Sequence, residues 1–241
     1  MSIEFSDTTN NDGILQQVRN LMRVDATQWP TQRVVNSCNN WLDTLTGYAI
    51  GADKRFQWDD TNHTKLPIGT TNLVASQSDY SFLTDEQGNS IITLTRIDLL
   101  QNDGTTWRKL ERFDQADTDE ALQQVYASTG QPEYYDKIAD NIIRLYPTPN
   151  ESETAGIKFY FQRTPSYFTA TDTTKSPGFS PLLHRGFIVA SAYDGALALG
   201  LSNLQALSVE IQREERKMIT YFSDRNKDDH SVMSAKPFSF R

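Results

Sequence analysis

The sequence predicts an α+β protein: an α-helical bundle formed by N- and C-terminal helices, an antiparallel β domain inserted between them, and an extended C-terminal arm. Three observations predict this arrangement. Apolar residues recur at helical spacing near both ends of the chain, the spacing drops to two between Lys54 and about Pro165, and a polar run from Asn226 gives way to an alternating apolar and polar ending. The corresponding segments are residues 1–53 (an N-terminal arm and two bundle helices), 54–165 (the β domain), 166–225 (a long connection and two further helices) and 226–241 (the arm). A chain of 241 residues holds one large domain or two small ones, because domains run to roughly 100–200 residues.

Taken in order, Ser6 to Asp12 is polar and reads as a flexible arm. Ile14, Leu15, Val18, Leu21 and Met22 follow, and residues at i, i+1, i+4, i+7 and i+8 share one helical face. Pro30 opens a second helix, in whose first turn its missing N–H is no loss. The stripe of that helix is Val34, Val35, Cys38, Trp41, Leu42 and Leu45, with Gly47 and Gly51 as its expected stops.

The β domain is read from short runs rich in β-branched and aromatic residues: Phe56/Trp58, Leu73-Val74, Tyr80/Phe82, Ile91 to Ile97, Trp107 to Leu110 and Ile157 to Gln162. Turn signals separate them at Asp85 to Asn89 and Asn102 to Gly104, which predicts seven or eight strands. Glu133 to Tyr146 reads as a hairpin turning at Asp140-Asn141. Asp117-Thr-Asp-Glu120 resembles a capping box ahead of Ala121, Leu122, Val125 and Tyr126, and so predicts one short helix.

A Thr- and Pro-rich passage to Pro181 is expected as an irregular surface connection. Leu182 to Leu201 is apolar almost all round and interleaved with small residues such as Gly186, Ala190, Gly195 and Gly200. That composition lets neighbouring helices approach closely and predicts the central, buried helix. The last helix, near Leu204 to Phe222, keeps Leu204, Leu207, Ile211, Met218 and Phe222 on one side. Glu210/Arg213 and Glu214/Lys217 make i, i+3 pairs on a face expected to be solvated.

Composition narrows the function. With 31 acidic against 23 basic residues and a net charge of -8, the protein repels a phosphate backbone, which argues against wrapping nucleic acid but suits a surface that nucleic acid slides past. No run is long enough to span a bilayer, and the N-terminus has no basic segment followed by an apolar one, so a soluble chain without a secretory signal is expected. The single cysteine, Cys38, lies on a helix stripe and reads as core filler.

Catalytic constellations are scarce. His63, His184 and His230 fall in three different contexts with no HxH, HExxH or CxxC spacing, and no GxSxG elbow nominates a nucleophile. Asp59-Asp60 reads as a solvated turn more readily than as an acid/base pair, since adjacent strand residues point to opposite faces. Thr8 to Gly13 has a partial calcium-loop look but carries Arg19 where a bidentate Glu is required. Trp58, Trp107, Tyr134, Tyr135 and Tyr146 could line a ligand platform, though aromatic residues at strand spacing are more often core. No catalytic residue, cofactor or metal ligand is assigned.

The terminal segment differs. In Lys236-Pro237-Phe238-Ser239-Phe240-Arg241 two phenylalanines alternate with polar residues, in a stretch with too few neighbours to offset its own ordering. Exposed Phe pairs require a cover. Lys236, Pro237, Phe238, Phe240 and Arg241 are therefore expected to form a docking arm for a groove or strand edge, with the two rings as anchors; folding back onto the chain's own helices is the alternative.

The blocks "NNWLDTL" (39–45), "FQWDD" (56–60), "LPIGTTNLVASQSDY" (66–80), "GQPEYYDKIADNIIRLYPTP" (130–149) and "FTATDTTKSPGFSPLLHRGFIVASAYDGA" (168–196) resemble those of tailed-bacteriophage head-to-tail adaptor (connector or neck) proteins. The resemblance implies a non-enzymatic structural virion protein: a dodecameric homo-oligomeric ring in the neck, assembled in the host cytoplasm and seated beneath the portal protein. It further implies contact with tail or nozzle proteins, no membrane, and a channel that double-stranded DNA traverses without specific binding. The terminal arm would then reach into the portal. The β insert departs from the smallest adaptors, which are little more than a helical bundle. Two other readings stand beside this one: another phage tail or baseplate component, and a β-domain ligand-binding module or hydrolase.

Overall fold

The computed structural model describes residues 3–52, 68–85, 88–113, 124 and 127–225. It is α+β, and it divides into two compact units, residues 1–56 with 167–241 and residues 57–166. The capping-box stretch lies outside the described residues except for Gln124, and so do Trp58, Asp59, Asp60, His63, His230 and the terminal arm.

In the first unit, helix α1 is Ile14–Met22 and buries Ile14, Leu15, Val18 and Met22. It stops at Arg23, which takes the left-handed conformation (φ 59°) and returns its N–H to the carbonyls of Arg19 and Asn20. Helix α2, Thr31–Ala52, follows Pro30 and buries the whole stripe from Val34 to Leu45 and then Ala49. It runs through Gly47, which is not its stop, and its last residue, Ala52, directly follows Gly51. Glycine is a poor helix former but not a forbidden one, and the buried Leu45 and Ala49 hold those turns in place.

A 3-10 turn, Pro181–Leu183, leads into helix α3, His184–Leu199, and helix α4 is Leu204–Arg225. Helix α3 packs against α1, α2 and α4. Small residues make this possible, because a Cβ at Gly186 would lie 2.7 Å from the Trp41 indole nitrogen and one at Gly195 would collide with the Met22 sulfur. The helix is not buried to its end: Leu197 is 58% exposed, and Leu199 also reaches solvent. Gly200 lies past the last turn in the left-handed conformation (φ 63°) as a cap.

In the second unit the strands are β1 Ile68–Leu73, β2 Asp79–Ser81, β3 Ile91–Leu100, β4 Trp107–Lys109, β5 Glu111–Arg112, β6 Thr129–Gly130, β7 Tyr134–Ala139, β8 Ile142–Tyr146, β9 Thr148–Pro149 and β10 Glu153–Arg163. One sheet has the order β1-β10-β3-β4, a second β2-β8-β7-β5, and β6 pairs with β9. The sheets are antiparallel as expected, β1 with β10, β10 with β3, β3 with β4, β2 with β8 and β7 with β8, and two short parallel ladders, β5 with β7 and β6 with β9, add to them. In those two ladders every strand except β7 has two residues, too short to show periodicity. Both larger sheets feed one core, with Ile97, Leu99, Ile157, Phe159 and Phe161 from the first and Tyr80, Ile143 and Leu145 from the second. Alternation along β8 and β10 sends these side chains to one face.

Candidate interaction surfaces

The passage from β10 to α3 holds the first unit together. It is irregular as expected, but it is not merely a surface connection, because Phe168 and Phe179 are each 2% exposed. Asn39 of α2 fixes the Phe168 backbone in both directions: its amide nitrogen donates to the carbonyl at 3.0 Å and its oxygen accepts the N–H at 2.9 Å. The Tyr167 hydroxyl donates to Asp43 at 2.6 Å, and burial together with that bond pushes the phenol up to about 12. Lys175 donates to the Tyr167 carbonyl at 2.6 Å, its ammonium lying 5.6 Å from the centre of the Phe168 ring.

The N-terminal segment, expected to be a flexible arm, is anchored to the same passage. Phe5 and Ser6 donate their N–H groups to the carbonyls of Lys175 and Thr173, and the Phe5 ring, fully buried, stacks on Phe168 at 5.1 Å. His184 completes the clasp. Its Nδ1 accepts from the Ile3 N–H at 3.3 Å and its Nε2 faces the Phe179 carbonyl at 2.9 Å, which makes Nε2 the protonated nitrogen. A histidine with both nitrogens bonded to backbone is a structural tie.

The other sequence candidates resolve similarly. Asp7 spends its oxygens on the N–H groups of Thr9 and Asn10 and on the Asn10 amide, which hold its carboxyl below the usual range, so the calcium-like loop is an ordinary turn. Cys38 is fully buried, and burial first, Asp194 second, push its thiol well up, away from any thiolate chemistry. Tyr146 is core, while Trp107 and Tyr134 point outward, Trp107 beneath Lys158 at 4.0 Å. Among the described residues no cluster of three or more His, Cys, Asp or Glu side chains is placed to hold a metal. Nor is any described helix long and apolar enough to cross a membrane.

Charge on α4 is only partly solvated. Glu210 and Arg213 lie 4.0 Å apart on the surface, but Glu214 is buried, held by Lys217 at 3.3 Å and Arg185 of α3 at 3.8 Å. This corrects the expectation that Glu214 faces water. The helical unit also exposes Leu182 (63%), Val209 (61%) and Tyr48. Sequence pattern missed this feature, because exposed apolar positions inside a helix look like core until packing is known.

Described residues of four of the sequence blocks singled out above meet in space within each unit. Asn39, Trp41 and Asp43 of the first block contact Phe168, Gly186 and Tyr167 of or beside the last. In the β unit, Asp79 accepts a bidentate pair from Arg144 at 2.6 and 2.9 Å, Ser76 donates to the Pro149 carbonyl and Leu145 to that of Ser78. Compared with known families, residues 9–233 match the one described as SU10 adaptor protein. No curated protein matches the chain.

Proposed function

Since this chain belongs to the SU10 adaptor protein family, a family of phage head-to-tail adaptors, we propose that it is one subunit of a dodecameric ring seated beneath the portal, joining capsid to tail. The match over residues 9–233 carries this reading. Membership points to a structural rather than catalytic protein, located in the virion neck.

Physical features support the finer picture. A ring subunit meets its neighbours through two different side faces, and the exposed Leu182, Leu197 and Val209 of the helical unit offer apolar area for such burial. A net charge of -8 per copy repeated around a ring lets DNA pass through the channel without adhering. Lys236, Pro237, Phe238, Phe240 and Arg241, outside the described residues, form the arm that docks on the portal, with the two rings as anchors.

Mixing purified chain with the portal protein of the same virus tests this, followed by size-exclusion chromatography with light scattering. Full-length protein comigrates with the portal at a mass of many copies, and a version truncated after Ser234 comigrates weakly or not at all. Failure of both to bind contradicts the portal assignment; equal binding by both contradicts the role of the arm.

A further inference from the structure

Between the C-terminal halves of α2 and α4 runs a mainly apolar groove of about 450 Å³, lined by Gly47, Tyr48, Gly51, Ala52, Ile219 and Phe222 among others. Tyr48 and Ile219 stand 41% and 44% exposed on its two walls, and Phe222 is buried at its base. The depth comes from missing side chains. A Cβ at Gly47 or Gly51 would meet no described atom within 4 Å, in contrast to Gly186 and Gly195, whose neighbours account for them. Two glycines one turn apart weaken a helix, and nothing in the described subunit fills the room they leave.

We propose that this groove is the docking site of the chain's own C-terminal arm in the unassembled subunit, with the rings of Phe238 and Phe240 inserted between Tyr48 and Ile219. The reach is ample. Helix α4 ends at Arg225, within one turn of the lining residues Phe222 and Ser223, and the residues from there to Phe238 can extend over roughly 40 Å. Gly47 and Gly51 are one helical turn apart, about 6 Å. In an extended segment residues 238 and 240 point to the same side about 7 Å apart, which matches that spacing. Pro237 favours the extended form. Asp43, exposed among the lining residues and already accepting from the Tyr167 hydroxyl through one oxygen, keeps a negative charge beside the groove for the Lys236 or Arg241 cations that flank the rings. Tethering raises the local concentration of the arm to the millimolar range, so modest contacts suffice. The arm is thereby covered until a partner surface takes it over.

This inference does not rest on portal docking and is read in the isolated full-length chain. Benzoylphenylalanine replaces Phe240 in an equal mixture of natural-abundance and nitrogen-15-labelled protein, and photocross-links are mapped by mass spectrometry. The expected links join residue 240 to residues 43–52 or 219–223, with both ends carrying the same isotope. Gly51→Leu, which fills the groove and improves the helix, removes most of those links while far-ultraviolet circular dichroism stays unchanged. Mixed-isotope links assign the groove to the arm of a second copy and overturn the proposal. Links to other surfaces, no links, or links indifferent to Gly51→Leu overturn it as well. If the groove instead holds Phe56 and Trp58, which follow α2 in sequence, truncation after Ser234 leaves Tyr48 as protected from surface labelling as in the full chain, which likewise overturns it.

Discussion

Gly186→Ala isolates the contact on which the helical unit turns. Alanine in place of glycine gains about 1 kcal/mol in a helix interior, which is an upper bound for Gly186 in the first turn of α3. Here the new methyl would lie 2.7, 2.8 and 2.9 Å from three atoms of the Trp41 indole, against an optimal separation of roughly 3.5–4.0 Å. The indole is 6% exposed and rigid, so it cannot fold away as a flexible chain can, and overpacking of this kind costs about 1–3 kcal/mol. Taking the upper end and subtracting the helix gain leaves a net loss of about 2 kcal/mol. For a chain of this size that lowers the melting midpoint by about 4–8 °C. Denaturant unfolding of Gly186→Ala against the parent gives the energy, and Trp41→Phe in the same background should return part of it. A midpoint unchanged or raised for Gly186→Ala would mean that α2 and α3 do not approach as described.

Three further expectations follow from the geometry. Asp85→Ala removes a carboxylate 3.3 Å from the nearly buried Arg163 and unties the Asn89 N–H and amide; denaturant unfolding should show a loss of about 2 kcal/mol from the bonds removed. Asn39→Ala removes both bonds to the Phe168 backbone and should cost about 2 kcal/mol, with hydrogen exchange rising at Phe168. The Asp103 carboxyl is held at about 2 by the Thr106 hydroxyl and the N–H groups of Thr106 and Thr105. Its folded value lies below the unfolded one, so its contribution is present above about pH 4 and is lost as pH falls toward 2; carbon-13 titration should give that midpoint, and Thr106→Val should raise it.

Long periodic segments were legible in the sequence because burial follows pattern there: the α2 stripe from Val34 to Leu45 is buried to its last residue, and the β7–β8 hairpin turns at Asp140-Asn141. Where the reading failed, tertiary packing decided. Gly47 reads as a helix stop because glycine usually ends helices, yet the buried Leu45 and Ala49 on either side carry α2 through it. Glu214 read as solvated from its helical position, but Arg185 reaches it from another helix, a relation no local pattern contains. The N-terminal segment reads as free because it is polar, although Ile3, Phe5 and Ser6 tie it to His184, Phe168, Lys175 and Thr173, all more than 160 positions away. The arm residues Phe238 and Phe240 stood out as unexplained aromatics, and they lie outside the described residues.

The most direct test of the adaptor account is electron cryomicroscopy of the cognate portal incubated with the full-length chain. The account predicts a closed ring of helical units against the tail-facing side of the portal, with a chain segment ending in two aromatic side chains running into portal density. A bare portal, or this chain found only on tail-tube or fibre proteins in the same preparation, would contradict it.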